Sequence, residues 1–369
     1  MSPQQNKTGK WRWPERLAGG YLLLFLLMAV VVPATGLIQH PYENTQSGPS
    51  YQPPYIFSFS TSGNSTNIYW LGTDRVGQDV LAILIFGART ALVVSLPAML
   101  LATIMGVVLG SLAGFWGNSG IRVSVAACVL GLSGLLAAGY YAFCVRQVHW
   151  LNAFQSGTFS ILQELGIAFT IFTGFGIIGW LLTTVAIKIG LKKTITLPID
   201  HFVLRAIEIT GAIPRLLLIM CLIAFAKPAL VNVVVLAALT YWTSIARLVR
   251  GELLQVKELP YIEAAQVAGI ANWRILLKQA LPNALPPVIV AIAFGLGNLI
   301  SLEATLSYLG IGIPAYEASW GKLIKGILQN PKAWWLVVFP ALTLCFTILS
   351  LQIMAERLLK KLSPRQQQF

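Results

Sequence analysis

Long, nearly uncharged apolar runs alternate with short polar stretches along this chain. A helix that crosses a bilayer needs about 20 such residues. Eight runs qualify, at 17–38, 89–115, 123–145, 165–187, 203–226, 229–248, 284–307 and 334–356. None shows the period of two that a barrel strand needs, and lipid offers no partner to free backbone groups. The pattern therefore predicts an all-α polytopic membrane protein. The apolar run from Leu17 is too long for a signal peptide, and no small-x-small cleavage site follows it. It reads as an uncleaved first span behind a polar tail, 1–16. A polar segment, 39–88, comes next, and Pro41, Pro49, Pro53 and Pro54 make its early part irregular.

Composition agrees with the pattern. Of 369 residues, 56% are hydrophobic and 11% charged, against roughly 25% charged in soluble domains. The net charge of +13 would suggest nucleic acid if it were clustered on one domain. It instead follows the loops. With the N-terminus cytoplasmic, Lys7, Lys10, Arg12, Arg16, Arg122, Lys188, Lys192, Lys193 and Arg205 fall inside. Arg247, Arg250, Lys257, Arg274, Lys278, Arg357, Lys360, Lys361 and Arg365 join them. Seven basic residues, including Arg75, Arg89, Arg146, Lys227 and Lys332, fall outside or at outer ends. The positive-inside rule then predicts that both termini are cytoplasmic, and the excess charge is topology and anionic-lipid contact. Cys128, Cys144, Cys221 and Cys345 all sit in apolar runs without ligand spacing, and are expected to be buried packing residues. Trp334 and Trp335 stand where an aromatic belt would anchor the last span.

The stretch 258–283 is polar between two spans. Pro260 suits the first position of a helix, where its missing N–H costs nothing. Tyr261 to Ala268 contains no breaker, and Gly269 suits a left-handed C-terminal cap. Asn272 is expected to cap a second helix ending at Pro282. Ala264, Ala265 and Ala268 would form a smooth ridge for contact with another protein. Glu263, Ala264, Ala265, then Gly269, then Leu281 and Pro282 keep the spacing of the cytoplasmic coupling loop of ABC-importer permeases, which the stretch resembles. A second signature, Gly72, Thr73, Asp74, Gly77, Asp79, Val80, Gly87, Ala88 and Arg89, resembles the C-type permeases for dipeptides, oligopeptides and nickel. Gln78 replaces that family's usual Arg. The run from Leu302 to Pro314, with Ser319, Trp320 and Gly321, is similar to the same family.

The resemblance implies a six-helix permease core, spread over the N-terminal tail, the first span and a domain at 89–365. Residues 249–283 would be the coupling loop, and 118–197 an inserted two-helix hairpin. It implies a heteromeric importer in the inner membrane: this chain, a second permease, two ATPase subunits and an extracytoplasmic binding protein, with di- or oligopeptides as the solute. ATP and magnesium would reside on the ATPase subunits, because this chain has no phosphate-binding Gly-x-x-x-x-Gly-Lys loop, and it has neither a metal cluster nor a nucleophile–base pair of its own. The rival reading is a stand-alone secondary transporter or channel. In that case Glu208, Arg215 and Glu303 would relay charge, but the internal repeats that such transporters carry are not visible.

Those three ionisable residues are the candidates for pathway or gate, since charge within a span normally faces protein or water. Glu208 and Arg215, seven apart, are expected on one helix face. Gly106, Gly110 and Gly114, four apart, predict close helix packing. The two inserted spans carry no Asp, Glu, Lys or Arg and are expected at the lipid-facing periphery. Gly131, Gly134, Gly174, Gly176 and Gly179 would allow tight packing there.

Overall fold

The computed structural model describes residues 13–36, 38, 40–42, 48–55, 69–118, 120, 122–156, 158–189, 194–224 and 228–362. Lys7, Lys10, Arg12, Lys192, Lys193, Lys227 and Arg365 lie outside these residues, as do 56–68 of the polar segment. Helix α1 (Trp13–Thr35) is followed by α2 (Val80–Ser111), which widens into a π turn as far as Trp116. A short strand β1 (Arg122–Ser124) leads into α3 (Val125–Gly139), which also ends in a π turn, then α4 (Gln147–Ser156) and α5 (Thr158–Lys188). After β2 (Thr194–Thr196) come α6 (Ile199–Ala212), α7 (Arg215–Ile223) and α8 (Leu230–Lys257). Helices α9 (Pro260–Val267), α10 (Asn272–Ile275), α11 (Leu281–Leu309), α12 (Trp320–Lys325) and α13 (Trp335–Leu362) complete the chain. Among the described residues, seven stretches are long and apolar enough to cross a membrane, or eight if the bent pair α6–α7 is one span.

That pair corrects the sequence expectation. The run 203–226 is not one helix: α6 and α7 meet at 79°. Pro214 has no N–H to continue the ladder, and it pushes Ile213 into extended backbone at φ −98°, ψ 132°. Glu208 and Arg215 therefore lie on different helices and do not share a face. At other ends the helices outrun the apolar runs. The second begins at Val80 rather than 89, because the Asp79 carboxylate accepts the Leu81 N–H at 3.0 Å and caps it. Helix α8 continues past 248 to Lys257.

The most extensive helix pair is α2 against α8, and its cause is legible in the three glycines. A Cβ at Gly110 would stand 2.6 Å from the Ala246 carbonyl oxygen, and one at Gly106 would stand 2.6 Å from Ile245 Cβ. Gly114 meets the Arg250 carbonyl at 3.0 Å. No side chain fits, so the backbones approach closely. Around this pair a core of Val94, Met99, Ile207, Ile219, Val249 and Leu299, with other buried residues, ties α2, α6, α7, α8 and α11 together. A second core joins α1, the first half of α2, α12 and α13 through Phe25, Ile83, Phe86, Trp320, Trp335 and Leu336. Tyr21 on α1 donates to the Thr343 carbonyl of α13 at 3.0 Å, and Glu15 pairs with Arg357 at 2.7 Å.

Residues 118–197 form a unit of their own. Strands β1 and β2 pair antiparallel, Val123 opposite Ile195, and gather its two ends. The Asp200 N–H reaches the Gly117 carbonyl at 3.4 Å, so the flanking helices meet as if the insert were absent. Helices α3 and α5 pack on each other, and Arg146 holds Glu164 in a two-pronged ion pair, 2.7 and 3.0 Å. The glycines there are not needed for that contact. Gly134 and Gly179 face carbonyls at ordinary distance, 3.6 and 3.7 Å, while Gly131, Gly174 and Gly176 meet open space. Only 11% and 6% of the apolar stretches of α3 and α5 are buried, against 61% in α8.

Two smaller expectations are corrected. Cys144, Cys221 and Cys345 are exposed on the helix surfaces and Cys128 is half-buried, because a helix in lipid turns apolar side chains outward as readily as inward. Trp335 is buried and donates its indole N–H to the Thr73 carbonyl at 3.1 Å, so it ties the polar segment to α13 rather than joining a belt.

Candidate functional site

Helix α9 is the element around which the loop is built. Leu259 is extended, as a residue before proline must be, and Pro260 opens the helix. The helix ends in a full Schellman motif: the Gly269 N–H bonds to the Gln266 carbonyl at 3.0 Å and the Ile270 N–H to the Ala265 carbonyl at 3.1 Å. Gly269 takes φ +73°, where an L side chain costs about 1–2 kcal/mol. Below the helix, Ile262 and Ala265 enter the core with Ile275, Leu276 and Ala280.

Ala265 is thus 7% exposed and not part of an outer ridge. The i, i+3 spacing that pairs it with Ile262 points it inward, while Glu263, Ala264 and Ala268 stay outside. The most prominent apolar side chain is one the sequence reading passed over. Val267 is 90% exposed, and Tyr261, Trp273 and Leu277 are exposed near it in the chain. A valine unsupported by its neighbours in a polar loop was the available signal.

The second half of the loop also departs from expectation. Asn272 does not cap; it is the first residue of α10, and Ala271 precedes the helix without a side-chain bond. Nor does the helix stop at Pro282. The π turn Leu276–Ala280 carries α10 directly into α11, and its wider register leaves room for a residue that cannot donate. Leu281 is half-buried and Pro282 exposed in that first turn. Asn283 reaches back, donating to the Tyr261 hydroxyl at 2.9 Å, and so clips α11 to α9. Excluding the ends of α8 and α11, the loop proper is shorter than 249–283.

The other signatures fold against one another. Thr73 accepts the Gln52 N–H and donates to the Pro49 carbonyl, both at 2.7 Å, and Asp74 accepts the N–H groups of Val76 and Gln78 at 2.8 Å. Burial is the main cause that pushes the carboxyls of Asp74 and Asp79 above their usual range; the backbone N–H groups oppose it. These residues shape and cap the start of α2. Gly87 makes room for Trp320, whose ring would lie 2.7 Å from a Cβ there, and the Trp320 indole donates to the Leu84 carbonyl at 2.9 Å.

Glu303 is completely buried behind Trp320. Its Oε1 accepts from Ser307 at 2.9 Å and from Ser319 at 2.8 Å, while its Oε2 has no partner among the described residues. Ser319 in turn caps α12. Beyond it, Lys322 donates to the Glu317 carbonyl at 2.8 Å and to that of Pro314, and burial pushes its pKa down to about 8. The candidate charges do not come together: Glu303 is sealed between α11 and α12, whereas Glu208 pairs with Arg205 at 2.7 Å on the exposed face of α6. With side chains 57% and 77% exposed, that pair contributes about 0–1 kcal/mol. Arg215 lies 4.0 Å over the Tyr241 ring and donates to Ser244 at 3.1 Å.

The family described as "Binding-protein-dependent transport system inner membrane component" matches residues 193–366. The dipeptide transport system permease protein DppC of Bacillus subtilis is 26% identical over 352 residues, 95% of this chain and 81% of that protein. The oligopeptide transport system permease protein OppC of the same organism is 24% identical over 345 residues, 93% of this chain and 83% of its own length. A putative peptide transport system permease protein of Brucella suis reaches 34% over 167 residues, which span 45% of this chain and 56% of that protein. The chain is a multi-pass membrane protein related, over nearly its whole length, to the C-type peptide-transport permeases of ABC importers.

Proposed function

We propose that this chain is one half of the solute path of a peptide importer. It works with a second, related permease, two ATP-hydrolysing subunits and an extracytoplasmic binding protein. Peptides are the solute because DppC and OppC, which align over nearly the whole chain, carry dipeptide and oligopeptide transport in their names. The observation that carries the coupling reading is Val267. A 90% exposed valine stands at the end of a helix whose opposite face is locked into the core by Ile262 and Ala265. An exposed apolar side chain on a rigid mount suits a cleft on an ATPase subunit. In this reading Glu263, Ala264 and Gly269 shape the contact, while Ala265, Leu281 and Pro282 hold it in place.

The six-helix core with both termini cytoplasmic belongs to the same proposal. The Glu15–Arg357 pair brings the start of α1 and the end of α13 to one level, which fits an even number of spans with α6–α7 counted as one. Glu208, exposed on α6, and Arg215, half-buried against Tyr241 at the bend, are assigned to the solute path. Glu303 is assigned to the frame of the outer gate, where it ties α12 to α11. The insert 118–197 sits at the periphery, its apolar side chains turned to lipid.

Orientation tests this arrangement. In a variant with Cys128, Cys144, Cys221 and Cys345 replaced, a membrane-impermeant thiol reagent on intact cells should label Val76→Cys and spare Gln266→Cys. Both should react after the membrane is opened. Labelling of Gln266→Cys in intact cells would overturn the placement of α9 beside an ATPase.

A further inference from the structure

Near the start of α2 is a cavity of about 260 Å³ whose polar lining is His40, Tyr42, Arg89, Thr90, Tyr316 and Glu317. Val93 and Leu230 supply its apolar wall. Four separate stretches build it: the segment after α1, the helix α2, the first turn of α8 and the turn before α12.

Arg89 is the only charged residue in the 32 residues of α2. A cation within so apolar a helix is costly unless it faces protein or water, and such residues mark functional sites. Its side chain is exposed, and among the described residues no carboxylate lies within ion-pair distance of it. Glu317 lines the same cavity and forms no ion pair there, although Lys322 lies within its electrostatic reach. The rim is positioned by local contacts. His40 packs edge-on against Phe86 at 4.7 Å and accepts the Tyr42 N–H at 3.4 Å. Burial, with a smaller effect of Asp74, pushes the Tyr42 phenol up to about 12, so it remains a hydroxyl donor.

A guanidinium with no carboxylate partner among the described residues, a carboxylate across the same small space and several hydroxyls suit an anion that brings its own N–H donor, as the last residue of a peptide does. The volume, about 260 Å³, lies below that of most small-ligand sites, which run roughly 300–1,000 Å³, so it suits the end of a ligand rather than a whole one. We propose that this cavity is a receiving subsite for the free C-terminal carboxylate of a short peptide, held by Arg89, with Glu317 accepting the last peptide N–H and repelling anions that bring no such donor. The proposal rests on the peptide-importer reading and adds a position and a chemical group to it.

The test uses the assembled transporter, with both permeases and both ATPase subunits, in lipid nanodiscs without the binding protein. Saturation-transfer NMR would follow titration with trialanine, its C-terminal amide and acetate. Trialanine should bind at least on the order of tenfold more tightly than its amide, as the loss of a charge-assisted bond predicts. Arg89→Gln should bring trialanine down to the level of the amide, and Arg89→Lys should restore part of the difference, which separates lost charge from lost folding. Acetate should bind more weakly than trialanine and gain affinity in Glu317→Gln. Equal binding of acid and amide, an unchanged Arg89→Gln, acetate binding as tight as trialanine, or no saturable trialanine binding would each overturn the subsite. Peptide uptake by the wild-type complex with its binding protein is measured in parallel. No uptake of any peptide would sink the importer reading, whereas uptake with an unaffected Arg89→Gln sinks the subsite alone.

Discussion

At Gly269 the backbone adopts φ +73° with open space around the α-carbon, so what excludes a larger residue is conformation and not crowding. Gly269→Leu should therefore leave the core intact but weaken the turn that ends α9, with a cost of about 1–2 kcal/mol. Local opening should rise on the order of tenfold, read as faster protease cleavage between Leu259 and Ile275 at an unchanged global melting temperature. Unchanged cleavage would mean that the turn does not depend on the left-handed conformation. Ala265 behaves differently. It is packed with Ile262, so Ala265→Arg forces a charge into the core and is a folding mutation. The sequence made Gly269 readable because one backbone conformation accounts for it. The facing of Ala265 was not readable, since three alanines in a polar loop carry no sign of which side is buried.

Among the elements, the close packing of α2 was legible, because glycines at four-residue spacing have few other uses in a span, but not that α8 is the partner. The 79° break between α6 and α7 was less so: a proline in an apolar run produces anything from a mild kink to a corner, and the neighbours decide which. The continuation of α10 into α11 through Pro282 escaped for the opposite reason. A π turn tolerates a proline that an α-helix would not, and no residue pattern announces one. The inserted hairpin was readable as two extra apolar runs, but not the ribbon of β1 and β2 that closes it, because three-residue strands carry almost no periodicity. That ribbon has a consequence. Because Gly117 and Asp200 are already bonded, replacing 118–197 by a short polar loop should leave α2 and α6 in place. The shortened subunit should assemble and retain substrate-stimulated ATP hydrolysis and transport. A complex that assembles yet transports nothing would assign α3 and α5 to the path or its gate.

In the whole molecule, the separate signatures converge. Thr73 is held by Trp335, Leu84 and Gly87 by Trp320, and Glu303 by Ser319, so the segment before α2, the end of α11 and the turn into α13 form one body. Motif spacing placed Thr73, Gly87, Glu303, Ser319 and Trp320 in the chain but could not pair them with Trp335 and Leu84, since contacts 262 and 236 positions apart leave no local trace. At the opposite end of α11, α9 is seated on the bundle by Ile262 and by the clip from Asn283 to Tyr261. Under the proposed coupling, movement delivered to α9 passes to α11 through this clip and the turn at Gly269, beyond which α10, its π turn and α11 are continuous. The measurement that bears most directly on this account is ATP hydrolysis and peptide uptake by the reconstituted transporter carrying Val267→Asp. Val267 buries nothing within this chain, so the subunit should insert and melt as the wild type does. The charge should block its seat on the ATPase, abolishing uptake and the stimulation of hydrolysis by loaded binding protein. Wild-type uptake and stimulation in that variant would contradict α9 as the coupling element.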